Sequence, residues 1–164
     1  MTETLQGRHI VVTGGTGALG AAVVGKLLAD GAICHVPNAH ASAPSHFPFA
    51  ADERVRLAHN VDLADPAKVD AFYDSVPELW ASIHLAGGFA MAPVEKIESA
   101  SFAEMMDTNA RTAFLCCRAA VRSMLGRYVR ERTQDAFGVY VGNEVEGEVR
   151  PLAKPSPVLL SGRG

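Results

Sequence analysis

Three glycines near the start of the chain are spaced so that the backbone could surround a phosphate group. Gly15, Gly17 and Gly20 form the pattern Gly-x-Gly-x-x-Gly, which between a strand and a helix is typical of dinucleotide binding. A residue without a Cβ atom permits a tight turn and a close approach to a pyrophosphate. The N–H groups at the helix N-terminus then attract the phosphates. The plainer alternative is a turn that needs its glycines only for compactness.

A second phosphate-binding pattern overlaps this one but is incomplete. Residues 20–26 match Gly-x4-Gly-Lys, the beginning of a motif that binds nucleoside triphosphates. Leu27 stands where that motif requires a Ser or Thr to bind magnesium, and the match lies inside a predicted helix rather than a loop. The sequence therefore argues against a nucleoside triphosphatase.

The elements around the glycines are predicted from apolar patterning. The run "HIVVTG" is typical of a strand buried on both faces, at about 8–13. A helix with apolar residues at helical spacing follows and ends at Gly31, which favours a left-handed stop. The run "AICHV" predicts a second strand, and the proline-containing segment 37–53 predicts a surface loop.

Later elements alternate in the same way. "RVRLAHNV" predicts a third strand, and Asp65 with Pro66 predicts an N-cap and first helical residue. "WASIHLAGG" predicts a fourth strand. Ser101 and Glu104 form a Ser-x-x-Glu capping box, which predicts the start of the longest helix at about 102–126.

The alternation of strands and helices predicts an α/β fold, a Rossmann-like doubly wound parallel sheet. We expect the sheet to be incomplete, with four to five strands. After Leu125 the hydrophobic pattern weakens, and "FGVYVG" is the one plausible strand of the remaining chain. We therefore predict a dinucleotide-binding domain over 1–125 and an atypical tail over 126–164.

Composition narrows the classes of partner. With 164 residues and a net charge of -3, the chain has no basic stripe for nucleic acid. No run of eighteen apolar residues and no leader-like segment occurs, which favours a cytoplasmic protein without a membrane partner. The three cysteines are too few and wrongly spaced for a metal site, and we expect buried thiols.

Four segments together resemble the N-terminal half of a short-chain dehydrogenase/reductase. They are "TGGTGALG", "NVDLAD", "HLAGG" and "MMDTNARTAFLCCRAAVRSM", and they keep the order of the family across about residues 8–125. The glycine spacing of the first segment is closer to the extended branch of the family. The resemblance implies an NAD(P)-dependent oxidoreductase that transfers hydride between a nicotinamide cofactor and a carbonyl or alcohol.

The resemblance also implies roles for particular residues. Asp62 and Leu63 would contact the adenine. Without the resemblance, Asp62 would be interpreted as a solvated carboxylate. Asn109 corresponds to the helix asparagine of the family, which helps to position the catalytic lysine through water; by itself it would read as a local hydrogen-bonding group. The residues implied to hold the phosphates and adjoining ribose are Gly14, Thr16, Gly17, Leu19 and Gly20, and those implied to line the cofactor cleft are Ala86, Gly87 and Gly88.

The choice between NAD and NADP stays open in the sequence. An acidic residue after the second strand favours NAD and an arginine favours NADP, but the segment "HVPNAHA" contains neither. His35, Asn38 or His40 could contact either ribose, with a structural or solvent-facing role as the alternative for both histidines.

The proton donor of the family is missing from the sequence. In this family a Tyr-x-x-x-Lys pair and a preceding serine serve the developing alkoxide, and this chain contains no such pair. Tyr128 has Arg132 four residues later, but arginine is a poor substitute for the lysine. One hypothesis is that a reading-frame change replaced the catalytic half of a longer reductase.

Three interpretations of the chain therefore remain. The chain is part of a reductase that is inactive by itself, a non-catalytic dinucleotide-binding module or redox sensor, or a fragment with an exposed sheet edge. A homo-oligomer could form through the 102–126 helix, with Phe114 and Met124 as contacts or, equally, as core residues.

Overall fold

The computed structural model describes residues 4–135, and residues 4–128 belong to one compact unit. Within residues 4–135, four strands and four α-helices follow each other, with short 3-10 and π turns before the last helix. Their bounds are β1 His9–Thr13, α1 Ala18–Ala29, β2 Ile33–Pro37, β3 Val55–Ala58, α2 Pro66–Asp74, β4 Leu79–His84, a 3-10 turn Val94–Lys96, α3 Ser99–Met106, a π turn Asp107–Arg111 and α4 Thr112–Asp135.

The four strands form one parallel sheet in the order β3-β2-β1-β4. Ile10 on β1 is in register with Cys34 on β2 and with Ala81 on β4. All carboxyl ends therefore lie at one edge, where ligands of open α/β sheets bind. The predicted Rossmann-like α/β fold with an incomplete sheet is confirmed. Within the described residues β4 is an edge strand, and 81–84 are only half-buried.

The central strand β1 is buried on both faces, as predicted. Ile10 and Val12 belong to a core that α1 covers, whereas Val11 belongs to a second core beneath α2 and α4. Each fully buried aliphatic side chain of this kind stabilises the fold by roughly 1.5–3 kcal/mol. The burial of β1 therefore fixes the position at which the glycine turn begins.

Two helix boundaries follow local signals that the sequence already shows. Asp65 accepts hydrogen bonds from the N–H groups of Ala67 at 2.9 Å and Lys68 at 3.3 Å, and Pro66 begins α2. Gly31, with φ of 90°, follows the end of α1 in the left-handed conformation. Both predictions are confirmed.

The predicted single helix over 102–126 is wrong, as is its capping box. The helix α3 begins at Ser99 after Glu98, which makes no side-chain cap. Ser101 already lies inside α3 and cannot serve as its N-cap, because an N-cap residue has non-helical backbone angles. The helical path also continues past 126 to Asp135 in α4.

A π turn separates α3 from α4, which apolar spacing did not predict. Two side chains bond back to carbonyls four residues earlier: the Asn109 amide donates to Met105 at 2.9 Å, and the Thr112 hydroxyl donates to Thr108 at 2.7 Å. Such bonds compete with the regular helix ladder. The turn therefore widens by one residue where these side chains lie.

The cysteines are all free, and the prediction of buried thiols is correct for two of them. Cys34 and Cys116 are buried, and burial raises the pKa of each thiol to about 11. Cys117 is exposed, because consecutive helical residues point about 100° apart. No group of three or more His, Cys, Asp or Glu side chains in the described part of the chain could hold a metal ion.

The connection from β2 to β3 contains no helix. It is the irregular loop that the prolines predict, but it does not lie wholly on the surface: Phe47 is buried in the α1 core and packs edge-on against Phe49 at 5.8 Å between ring centroids. These rings cover this face of the sheet in place of a crossover helix. The predicted strand at 137–142 lies outside the described residues, and the domain boundary at 125/126 stays a prediction.

No helix among residues 4–135 is both long enough and apolar enough to span a membrane.

Two histidines on neighbouring strands form a partly buried pair. His9 Nδ1 lies 2.9 Å from His35 Nε2, and His35 is 8% exposed. Burial, His9 and Arg56 together lower the pKa of His35 to about 4. His35 is therefore neutral in the folded protein near pH 7.

The His35 pair predicts an acid-sensitive fold. Because the unfolded chain binds this proton more readily than the folded chain does, the free energy of unfolding should fall as the pH drops from about 6.5 towards 4. Between pH 7 and pH 4.5 we expect a loss of about 2 kcal/mol from this residue. Urea unfolding of wild type and His35→Gln measures it; the variant should lose less stability over this range. Exposed His40→Gln is the control, and equal slopes in wild type and His35→Gln would contradict the prediction.

Candidate functional site

The carboxyl ends of β1 and β4 are joined through Thr13. Its buried hydroxyl oxygen accepts hydrogen bonds from the N–H groups of Leu85 at 3.2 Å and Ala86 at 3.3 Å. Gly14 follows with φ of 68°, and a Cβ atom there would lie 2.7 Å from the Ala86 nitrogen. The structure thus brings Gly14 and Ala86 together at the sheet edge.

The glycine turn and the first turn of α1 pack directly on each other. A Cβ atom on Gly20 would clash with the Gly14 carbonyl oxygen and lie 2.6 Å from the Gly15 Cα atom. A Cβ atom on Gly15 would lie 2.9 Å from the Val12 carbonyl oxygen and from the Val36 side chain. These glycines are required for packing whether or not a ligand binds.

Gly17 differs because the space beside it is open. A Cβ atom there would meet only the Gly14 oxygen, at 3.4 Å, and Gly17 is exposed. It is the N-cap of α1 and makes no side-chain cap, so the first N–H groups of the helix lack intrahelical partners. Exposed Gly17 and Leu19, which is 67% exposed, flank this helix end. The arrangement is suited to an anion.

The segment after β4 is held by Asn109. Its side-chain oxygen accepts from the Gly88 N–H at 3.1 Å, and its amide donates to the Gly88 carbonyl at 3.0 Å. A Cβ atom on Gly87 would lie 2.7 Å from the same side-chain oxygen. Asn109 therefore clamps the 86–88 segment beside the π turn; this role is structural and differs from the water relay that the resemblance implies.

Asp62 and Leu63 lie beyond the carboxyl end of β3, two strands away from β1. Asp62 is exposed, and its carboxylate accepts from the Ala64 N–H at 2.9 Å. Leu63 is half-buried against the second core. One carboxylate oxygen of Asp62 and part of the Leu63 side chain thus contact the protein itself. The second carboxylate oxygen of Asp62 is left for another partner.

Of the three residues considered for the ribose, the structure leaves one exposed. His35 is buried against His9, and the buried Asn38 amide donates to the carbonyls of His40 at 3.1 Å and Ser42 at 2.8 Å. The His40 side chain is exposed. Sequence reasoning missed His46, whose ring Nε2 lies 3.2 Å from the Thr16 carbonyl oxygen; a contact across thirty residues leaves no spacing signal.

Comparison with known proteins identifies the family. Residues 8–132 match the family model described as short chain dehydrogenase. The chain belongs to the short-chain dehydrogenase family. This finding confirms the resemblance drawn from the four sequence segments and agrees with the parallel sheet and its glycine turn.

Solved structures of similar fold include three dehydrogenases or reductases. A short-chain dehydrogenase/reductase family protein is 25% identical, with a TM-score of 0.68 over 76% of this chain and 52% of its own. An NADH-dependent reductase complexed with NAD is 23% identical, with a TM-score of 0.67 over 80% and 58%. A short-chain dehydrogenase from Leptospira borgpetersenii with bound NAD+ is 18% identical, with a TM-score of 0.65 over 76% and 49%. This chain spans about half the length of these structures.

The glycine geometry predicts losses of stability of different size at two positions of the turn. Gly20→Ala forces α1 away from the Gly14 carbonyl and should lower the free energy of unfolding by about 2 kcal/mol or more. Gly17→Ala has room for its methyl group and should cost less than about 1 kcal/mol. Urea denaturation of both variants checks this, and equal losses would contradict the packing described.

The Asn109 clamp predicts local protection of one amide. Asn109→Ala removes the acceptor of the Gly88 N–H, so hydrogen exchange at Gly88 should accelerate about tenfold or more while the core amides stay protected. Asp107→Asn is the control, because it breaks only an exposed ion pair with Arg111 in the same π turn. Unchanged exchange at Gly88 in Asn109→Ala would refute the clamp.

Proposed function

We propose that this chain binds a nicotinamide dinucleotide, NAD or NADP, at the carboxyl edge of its sheet. One observation carries the proposal: the uncapped N-terminus of α1 opens at Gly17 beside the glycine turn, and a side chain at this position would fill that space. This cradle fits a pyrophosphate. The residues proposed to hold the dinucleotide are Gly14, Gly15, Thr16, Gly17, Leu19, Gly20, Asp62, Leu63, Ala86, Gly87 and Gly88.

The activity we propose for the protein is that of an NAD(P)-dependent oxidoreductase acting on a carbonyl or alcohol. When bound, the nicotinamide supplies or accepts the hydride. The residues of this chain bind the phosphates, orient the dinucleotide along the sheet edge and, through Asn109, hold the 86–88 segment beside it. Family membership and the NAD-bound neighbours of the same fold support this proposal.

The chain carries no Tyr-x-x-x-Lys pair to deliver a proton to the alkoxide. We therefore propose that this chain, by itself, binds the dinucleotide without turning over a substrate. The same absence favours a second candidate function, a non-catalytic dinucleotide-binding module or redox sensor. Sustained oxidation of bound NADH or NADPH by small aldehydes or ketones would contradict both ideas.

A homo-oligomer formed through α3 and α4 is a further proposal. Phe114 is 62% exposed and is available for such a contact, whereas Met124 packs against the second core. Only the first of the two candidate contact residues is therefore free on the surface. A cytoplasmic location stays a prediction of the sequence.

Binding is tested by titrating the purified chain with NADH and NADPH. We expect saturable nicotinamide fluorescence and a rise in melting temperature, because a ligand that binds only the folded state stabilises it. Gly17→Ala should weaken binding about tenfold or more, since its methyl group occupies the phosphate cradle, while the melting temperature without ligand stays near wild type.

The matched control is Ala29→Ser, an exposed change at the opposite end of α1. It should bind like wild type. A cooperative melt that neither dinucleotide shifts would refute the proposed function.

A further inference from the structure

The segment that contains β2 and most of the loop after it has no carboxylate, lysine or arginine side chain. Between Asp30 and Asp52 the sequence has no acidic residue, and between Lys26 and Arg54 it has no lysine or arginine. Apart from the buried Cys34 thiol, histidines are therefore the side chains of residues 31–51 that can carry charge. From residue 38 onwards this stretch follows the carboxyl end of β2, where dinucleotide-binding folds place the group that reads the adenosine ribose.

A carboxylate in that place binds both ribose hydroxyls and repels a 2′-phosphate. Here the candidate positions are already engaged: Asn38 directs its amide into the loop, towards the carbonyls of His40 and Ser42, and His35 lies buried against His9. No acidic residue among residues 31–51 therefore rejects a phosphate on the ribose.

His46 lies directly beside the glycine turn. Its ring is exposed, and the neighbouring Phe47 anchors the loop in the α1 core. The Thr16 carbonyl can only accept a hydrogen bond, so His46 Nε2 carries the hydrogen and donates to it across 3.2 Å. This bond fixes one edge of the ring and leaves Nδ1 for another partner.

The chemistry of imidazole makes Nδ1 a suitable anion contact. A proton on Nδ1 adds a second donor and a positive charge without breaking the bond to Thr16. A hydrogen bond from a charged donor to phosphate is stronger than one between neutral groups. His46 thus combines a fixed position at the phosphate turn with a second ring nitrogen that can donate to an anion.

We propose that the adenosine end of this site selects the 2′-phosphorylated dinucleotide, NADP(H), and that His46 is the residue that binds the 2′-phosphate. The proposal rests on the dinucleotide binding proposed above. It assigns selection to a histidine of the loop, in place of an acidic residue or an arginine at the end of β2.

The test compares NADPH with NADH, and 2′,5′-ADP with 5′-ADP, by calorimetric titration of the full chain. The two adenine nucleotides isolate the adenosine end from the nicotinamide end. We expect the 2′-phosphorylated member of each pair to bind about tenfold more tightly or better, which corresponds to one charged hydrogen bond.

Two variants assign the preference to its residue. In His46→Gln the amide can still donate to the Thr16 carbonyl but cannot become charged, so NADPH affinity should fall about tenfold while NADH affinity changes less than about twofold. Ala39→Asp places a carboxylate at an exposed position beyond β2 and should weaken NADPH binding with little loss for NADH. His40→Gln removes the other exposed imidazole of the loop, which is the competing candidate, and should keep the preference. The control, Ser45→Ala, changes the exposed neighbour of His46 and should bind both dinucleotides like wild type.

The outcomes separate this inference from the proposed function. Tighter or equal binding of NADH would overturn NADP(H) selection while dinucleotide binding stands. A preference that survives in His46→Gln, or that falls equally in His40→Gln, would overturn the assignment to His46. A cooperatively folded chain that binds none of the four nucleotides would refute the proposed function, and this inference with it.

Discussion

The close approach of α1 to the turn before it is the constraint on which the site depends. Gly20 lies so near the Gly14 carbonyl that no side chain fits between them, and Gly14 in turn packs against the segment that follows β4. The same few backbone atoms therefore fix the start of the helix, the shape of the turn and the spacing of β1 and β4. A helix displaced from this contact would no longer aim its N–H groups at the edge of the sheet.

Single polar side chains hold the segments around this turn in place. Asn109 satisfies both backbone groups of Gly88, Asn38 satisfies two loop carbonyls, and His46 bonds to Thr16. Each of these side chains secures a segment that has no regular hydrogen-bond ladder of its own. The geometry of the site thus depends on a few long-range contacts as much as on the sheet.

Local signals predicted most of the framework. The β-branched run of β1, the Asp65 cap and the stop at Gly31 act within a few residues, and each was found where the sequence placed it. The side-chain partners of the site were harder to predict, because they join residues distant in sequence. Asn38 was considered for ribose contact, yet its amide is consumed by its own loop, and nothing in the spacing indicated that His46 reaches Thr16.

The π turn of 107–111 has a consequence for insertions and deletions. A π turn completes one turn of the helix with one residue more than an α turn, so the extra residue is absorbed locally and the helices on both sides keep their faces. Deleting a single residue there would join α3 and α4 into one regular helix with little change in the direction of either face. Exposed Phe102 would stay on its side of α3, whereas the asparagine that clamps Gly88 would lose the widened turn in which it lies. A change of one codon in this turn would thus disturb the Gly88 clamp without redirecting a helix face or altering any core residue.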